Sequence, residues 1–117
     1  MIATELVKML KGWPKEVRPE WMWPSAILVP FATDDELTDL ACMAGLRHLS
    51  KLPPPSAGLR AAPRVTWYEF EPETVLTVKW CPRTDTTGVA PEGIEVVGPT
   101  LLHAIDAAIR ATSGGEK

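Results

Sequence analysis

Residues 64–112 constrain the fold more than any other stretch. They run through VTWYEFE, PET, VLTVKWC, a polar loop, GIEVV and PTLLHAIDAAIRAT. In residues 65–71, Val65, Trp67, Glu69 and Glu71 point one way, and Thr66, Tyr68 and Phe70 the other. In residues 75–81, Leu76, Val78 and Trp80 share one face, and Val75, Thr77, Lys79 and Cys81 the other. Pro72, Glu73 and Thr74 between them are turn chemistry. Two alternating runs about a short turn predict an antiparallel hairpin. Residues 93–97 add a third short strand. Gly98 and Pro99, at the N-cap and first helical positions, open a helix whose apolar face is Leu101, Leu102, Ile105, Ala108 and Ile109. On its other face Asp106 and Arg110 are spaced to pair.

The residues before this stretch read as cover for the sheet. Residues 2–11 form a short amphipathic helix, stopped by Gly12 and Pro14. Residues 13–25 hold Trp13, Trp21 and Trp23 among prolines that keep the backbone extended. An extended backbone places Trp21 and Trp23 on one side, either as a lid over the sheet or as an aromatic patch for a partner. Residues 26–31 are a short apolar strand, kept to an edge by Pro30. A helix over 33–52 starts at a Thr33–Glu36 capping box and turns Leu37, Leu40, Ala41 and Ala44 inward. Gly45 either lies within it or breaks it. Pro53, Pro54 and Pro55 end it, and a connector leads to the hairpin. The expected fold is a single α+β domain over residues 1–117, a three- to four-stranded, mainly antiparallel sheet packed with two or three helices.

Composition removes several functions. At 117 residues a domain buries roughly two thirds of its unfolded surface and needs no disulfide or metal to hold it. The net charge of −3 argues against general nucleic-acid binding, since each neutralised phosphate needs a Lys or Arg. Cys42 and Cys81 lack metal-ligand spacing and read as free thiols. Asp34, Asp35, Glu36 and Asp39 do not match a Ca²⁺ loop and suit a helix start. Leu40 to Leu46 has the small residue and glycine of a helix-turn-helix centre, but the prolines cut off a recognition helix. His48 and His103 have no nucleophile context, and no phosphate loop is present. No cofactor, metal or catalytic residue is expected. With no signal peptide and no apolar run of about 20 residues, a cytoplasmic protein with no membrane partner is expected.

What the core does not need marks the expected contact surfaces. These are the Trp21/Trp23 segment, the Glu69, Glu71 and Glu73 edge, and the 82–93 loop with Arg83 and Asp85. Glu69 and Glu71 would stand about 7 Å apart on one strand face, near the spacing of successive DNA phosphates. The hairpin, third strand and helix ending GPTLLHAIDAAIR resemble small phage- and prophage-encoded proteins, those described as phage α/β/α sandwich proteins, and more distantly the HicB-like antitoxin fold. The resemblance covers the C-terminal half as a pattern and carries over no functional residue. It implies a small accessory protein acting by binding, as anti-CRISPR and other anti-defence inhibitors do. The expected function is therefore a non-enzymatic protein-binding protein that inhibits a host protein complex, as a monomer or homodimer. The alternatives are a nucleic-acid-associated regulator using Arg47, Lys51, Arg60 and Arg64, and a small enzyme with no recognisable site.

Overall fold

The computed structural model describes residues 8–14 and 34–113. In order it contains α1 (Asp34–Ser50), β1 (Arg64–Phe70), β2 (Glu73–Trp80), β3 (Glu92–Gly98) and α2 (Leu101–Ser113). Residues 8–11 are also helical. The three strands make one antiparallel sheet with β2 in the middle, so the fold is α+β as expected. Trp21, Trp23, the strand expected at 26–31 and the Thr33 cap lie outside the described residues.

Alternation along β2 decides which face is covered. Thr74, Leu76, Val78 and Trp80 are buried, while Glu73 and Lys79 are exposed and Val75 and Thr77 half-buried. α2 packs on the buried face against β3 and β2, and α1 lies against α2 and reaches β1. The core is the meeting of Leu76 and Val78 with Leu102, Ile105 and Ile109 from α2, Leu37, Ala41 and Leu49 from α1, and Leu10 and Trp13. The apolar face expected for α2 is the one that is buried, with Leu101 at its edge.

Several boundaries differ from the sequence expectation, each for a local reason. The hairpin turn is Glu71–Pro72, with Phe70 opposite Glu73 and a cis Glu71–Pro72 peptide. Glu73 and Thr74 therefore belong to β2, paired with Phe70 and Glu69, rather than to the turn. α1 does not break at Gly45. A Cβ there would stand 2.3 Å from Ile105 Cγ2 and 3.3 Å from the Trp13 ring, so the missing side chain lets α2 and Trp13 approach. Gly98 is the last residue of β3, and a Cβ on it would meet the Ala104 backbone nitrogen at 2.8 Å. The cap of α2 is Thr100 instead. Its hydroxyl accepts from the His103 N–H at 3.3 Å and bonds His103 Nδ1 at 2.7 Å, as an N-cap side chain does.

The pair expected between Asp106 and Arg110 forms at 3.0 Å. Asp106 has a second task that spacing within one helix does not show. Its other oxygen accepts the indole N–H of Trp13, which is 3% exposed. One carboxylate thus ties the segment after the first helical turn to α2.

Two substitutions test this packing. Gly45→Ala would gain about 1 kcal/mol on helix propensity alone. Overpacking against Ile105 outweighs that gain, so urea denaturation should show a net loss of about 1–2 kcal/mol. Asp106→Ala should cost about 2 kcal/mol, because it strands a buried indole N–H and removes a charge-assisted bond. The same variant should shift the Trp fluorescence toward that of solvated indole.

Candidate binding face

The face of the sheet turned away from the helices is the candidate site. Register fixes its composition. Tyr68 pairs with Val75 and Val75 with Val97, forming an apolar row across all three strands. Phe70 stands one step further along β1, beside Glu73. Behind the apolar row come Thr66, Thr77 and Glu95, and behind those Arg64, Lys79 and Gly93. The face therefore runs from a basic end, through threonines and an apolar band, to an acidic end.

Exposure sets the apolar band apart. Tyr68 is 63% exposed, Phe70 60% and Val97 52%. The two rings are neighbours, with centroids 6.1 Å apart and planes tilted by 33°. A buried aromatic side chain contributes about 1.5–3 kcal/mol relative to an exposed one. Two rings more than half exposed on one face thus leave apolar surface that the described core does not bury.

Each end of the face has a cleft. At the basic end Arg60, Arg64 and Lys79 converge with Pro63 and Cys81 on a cleft of about 300 Å³. At the other end Glu69, Glu71 and Glu73 line a cleft of about 310 Å³ with Thr100 and Leu101 at the start of α2. The structure does bring the three expected glutamates together, but around the hairpin turn rather than on one strand face. Glu69 is near the end of β1 on the helix-covered side, Glu71 is in the turn, and Glu73 is on the open side. The expected Glu69–Glu71 ladder at strand spacing is therefore corrected, because β1 ends at Phe70.

Arg83 and Asp85 do not join this cluster. They follow the far end of β2, about 23 Å along the strand from Glu73 at strand rise. The segment expected to be a flexible binding loop is tied to the connector before β1. The Arg83 N–H donates to the Gly58 carbonyl at 2.9 Å, and Arg83 Nε to the Leu59 carbonyl at 3.2 Å. Leu59 bridges Pro82, and Ser56 Oγ donates to Glu92 at 2.6 Å. A larger groove of about 650 Å³ lies behind this tie, lined by Pro53, Pro54, Pro55 and Pro91 with Trp80. The Trp80 indole N–H is turned to the Leu52 carbonyl, 3.4 Å away.

The open aromatic band was absent from the expected contact residues. Its signal was present in the sequence: Tyr68 and Phe70 alternate onto the same face as Thr66 and, across the hairpin, Thr77 and Lys79.

Catalytic alternatives find little in the described residues. No group of three or more His, Cys, Asp or Glu is placed to hold a metal ion among them. His103 is occupied at the α2 cap. Both cysteines are free and half-buried. Burial, with the Asp39 carboxylate adding to it, pushes the Cys42 thiol up to about 11 from 9.0, whereas nucleophilic thiols are lowered. Among the described residues no helix is long and apolar enough to cross a membrane. No family model, curated protein or solved structure matches the chain.

The raised Cys42 value gives two expectations. The folded chain holds this proton more tightly than the unfolded chain does. Its contribution to stability is therefore full below pH 9 and is lost as the pH rises from about 9 to 11. In a Cys81→Ser background, iodoacetamide at pH 8 should modify Cys42 about a hundredfold more slowly in the folded chain than in urea.

Proposed function

We propose that this protein is a non-enzymatic binding protein that engages another protein through the open face of its sheet. The observation that carries the reading is the pair of aromatic side chains, Tyr68 and Phe70, standing more than half exposed on that face beside Val97. Protein interfaces are centred on such anchors, ringed by polar and charged groups that exclude water around them. Here the ring is asymmetric, basic at Arg64 and Lys79 and acidic at Glu71 and Glu73, which would orient a partner of opposite polarity.

Nucleic acid is the competing occupant, since bases stack on aromatic rings and phosphates seek arginine and lysine. The glutamates speak against it. Glu73 stands directly beside Phe70 and Glu95 directly beside Thr77, so a phosphate backbone crossing the aromatic band would pass over carboxylates. An inhibitor of a host complex, the class implied by the resemblance to phage-encoded proteins, is one instance of a protein-binding protein. The identity of a captured partner would decide whether it applies.

The test is affinity capture with the tagged chain, followed by titration of the identified partner. A Tyr68→Ser/Phe70→Ser double variant and a separate Val97→Asp variant should keep the melting temperature within a few degrees. Each should weaken binding by about 30-fold or more, as loss of a hot-spot anchor does. Undiminished binding by both would sink the proposal. A low-salt gel shift of a single-stranded oligonucleotide, lost in the same variants, would replace it with the nucleic-acid reading.

A further inference from the structure

The outer edge of β1 has no strand beside it among the described residues, where β1 pairs with β2 and no other. Half of its backbone N–H and C=O groups therefore point away from the ladder. Edge strands in stable monomers are blunted by lysine, proline, bulges or short length. β1 carries two charges, Arg64 and Glu69, but neither lysine nor proline; it is seven residues long, and its register with β2 runs unbroken from Arg64–Lys79 to Phe70–Glu73. Large rings stand on both sides of it, Tyr68 and Phe70 on the open face and Trp67, 41% exposed, on the helix-covered side.

We propose that β1 pairs antiparallel with β1 of a second copy of this chain, across a two-fold axis at Trp67. Three features select a second copy as the occupant. Trp67 is the centre of the strand, so full overlap of two seven-residue strands places the axis there and leaves no edge residue unpaired. That register also keeps faces matched, which a shift by one residue would not. Thr66 of each copy lies opposite Tyr68 of the other on the open face, and the two Trp67 rings meet on the helix side. The charges then complement one another. Arg64 of one copy lies beside Phe70 of the other, where its guanidinium can rest on the ring. Read across the open face, Glu73 and Phe70 of one copy are followed by Arg64 and Lys79 of the other. The basic end of each sheet thus adjoins the acidic end of its mate, and a parallel arrangement would set like charges together.

The result is a continuous six-stranded sheet with closed symmetry and two aromatic bands on one surface. The strand pairing uses the edge of β1, with Tyr68 and Phe70 of the open face bordering the joint, and sedimentation of the chain alone separates its failure from that of the protein-binding reading.

Sedimentation equilibrium of the purified full chain between about 5 and 200 µM tests it, a range in which ordinary dimer affinities are resolved. The expected result is a concentration-dependent dimer. Trp67→Lys should raise its dissociation constant about tenfold or more, with the circular dichroism spectrum unchanged. Because Trp67 also touches the helix side, Tyr68→Lys serves as a second variant, at a more exposed position, with the same expected effect. In a Cys42→Ser/Cys81→Ser background, Trp67→Cys should oxidise to a covalent dimer, since paired strands bring Cα atoms within about 4.5–5.5 Å. Thr77→Cys, on the middle strand, should not. A chain that stays monomeric throughout the range overturns the proposal, as when β1 is paired within the chain or by another protein. So does a dimer indifferent to both lysine variants, or one trapped through Thr77→Cys instead.

Discussion

The burial of one row of β2 is the interaction on which the rest of the structure depends. Thr74, Leu76, Val78 and Trp80 stand on one side of a strand with a neighbour on each edge, and the helices lie on that side. Because side chains alternate with a period of two, fixing that row inward fixes everything else on the sheet. Val65 and Trp67 must share the helix side, Tyr68 and Phe70 must face away, and Val97 must join them. The open aromatic band is therefore not a separate design laid over the fold. It is the other half of the same alternation, filled with residues that the core has no means of using.

Close approach is the second organising constraint. α1 continues through Gly45, where Ile105 and the Trp13 ring occupy the space a side chain would need. Trp13, α1 and α2 then share one contact region, and Asp106 fixes the Trp13 indole there while holding Arg110. Removal of a methyl group from the sequence at one position thus sets the spacing of two helices, and a single carboxylate sets the position of a third segment against them.

The parts legible from sequence were those governed by periodicity. The two hairpin strands, the apolar face of α2 and the Asp106–Arg110 pair follow from spacings of two and four, which are properties of one element at a time. What escaped reading depended on contacts between elements. Gly45 looks like a break until Ile105 is placed beside it. Gly98 looks like a helix cap until α2 is seen to press on the end of β3, with Thr100 taking the cap. Residues 82–93 look like a free polar loop because nothing local announces that Gly58 and Leu59, more than twenty residues earlier, receive the Arg83 bonds. The same limit applied to the site. Glu69, Glu71 and Glu73 were recognised as charges the core does not need. Their gathering around the turn, rather than along the strand, required knowing where β1 stops.

The bond from Trp13 to Asp106 spans 93 residues. Contacts of such separation are made only after a long loop has closed, and they slow folding relative to local ones. During synthesis the consequence is an enforced order of events. The hairpin can close while the chain is still growing, but α1 packs chiefly on α2, and the Trp13 ring has no acceptor until α2 has been made. Until then the indole lacks its acceptor, so the placing of Trp13 against α1 is completed only once α2 has been made.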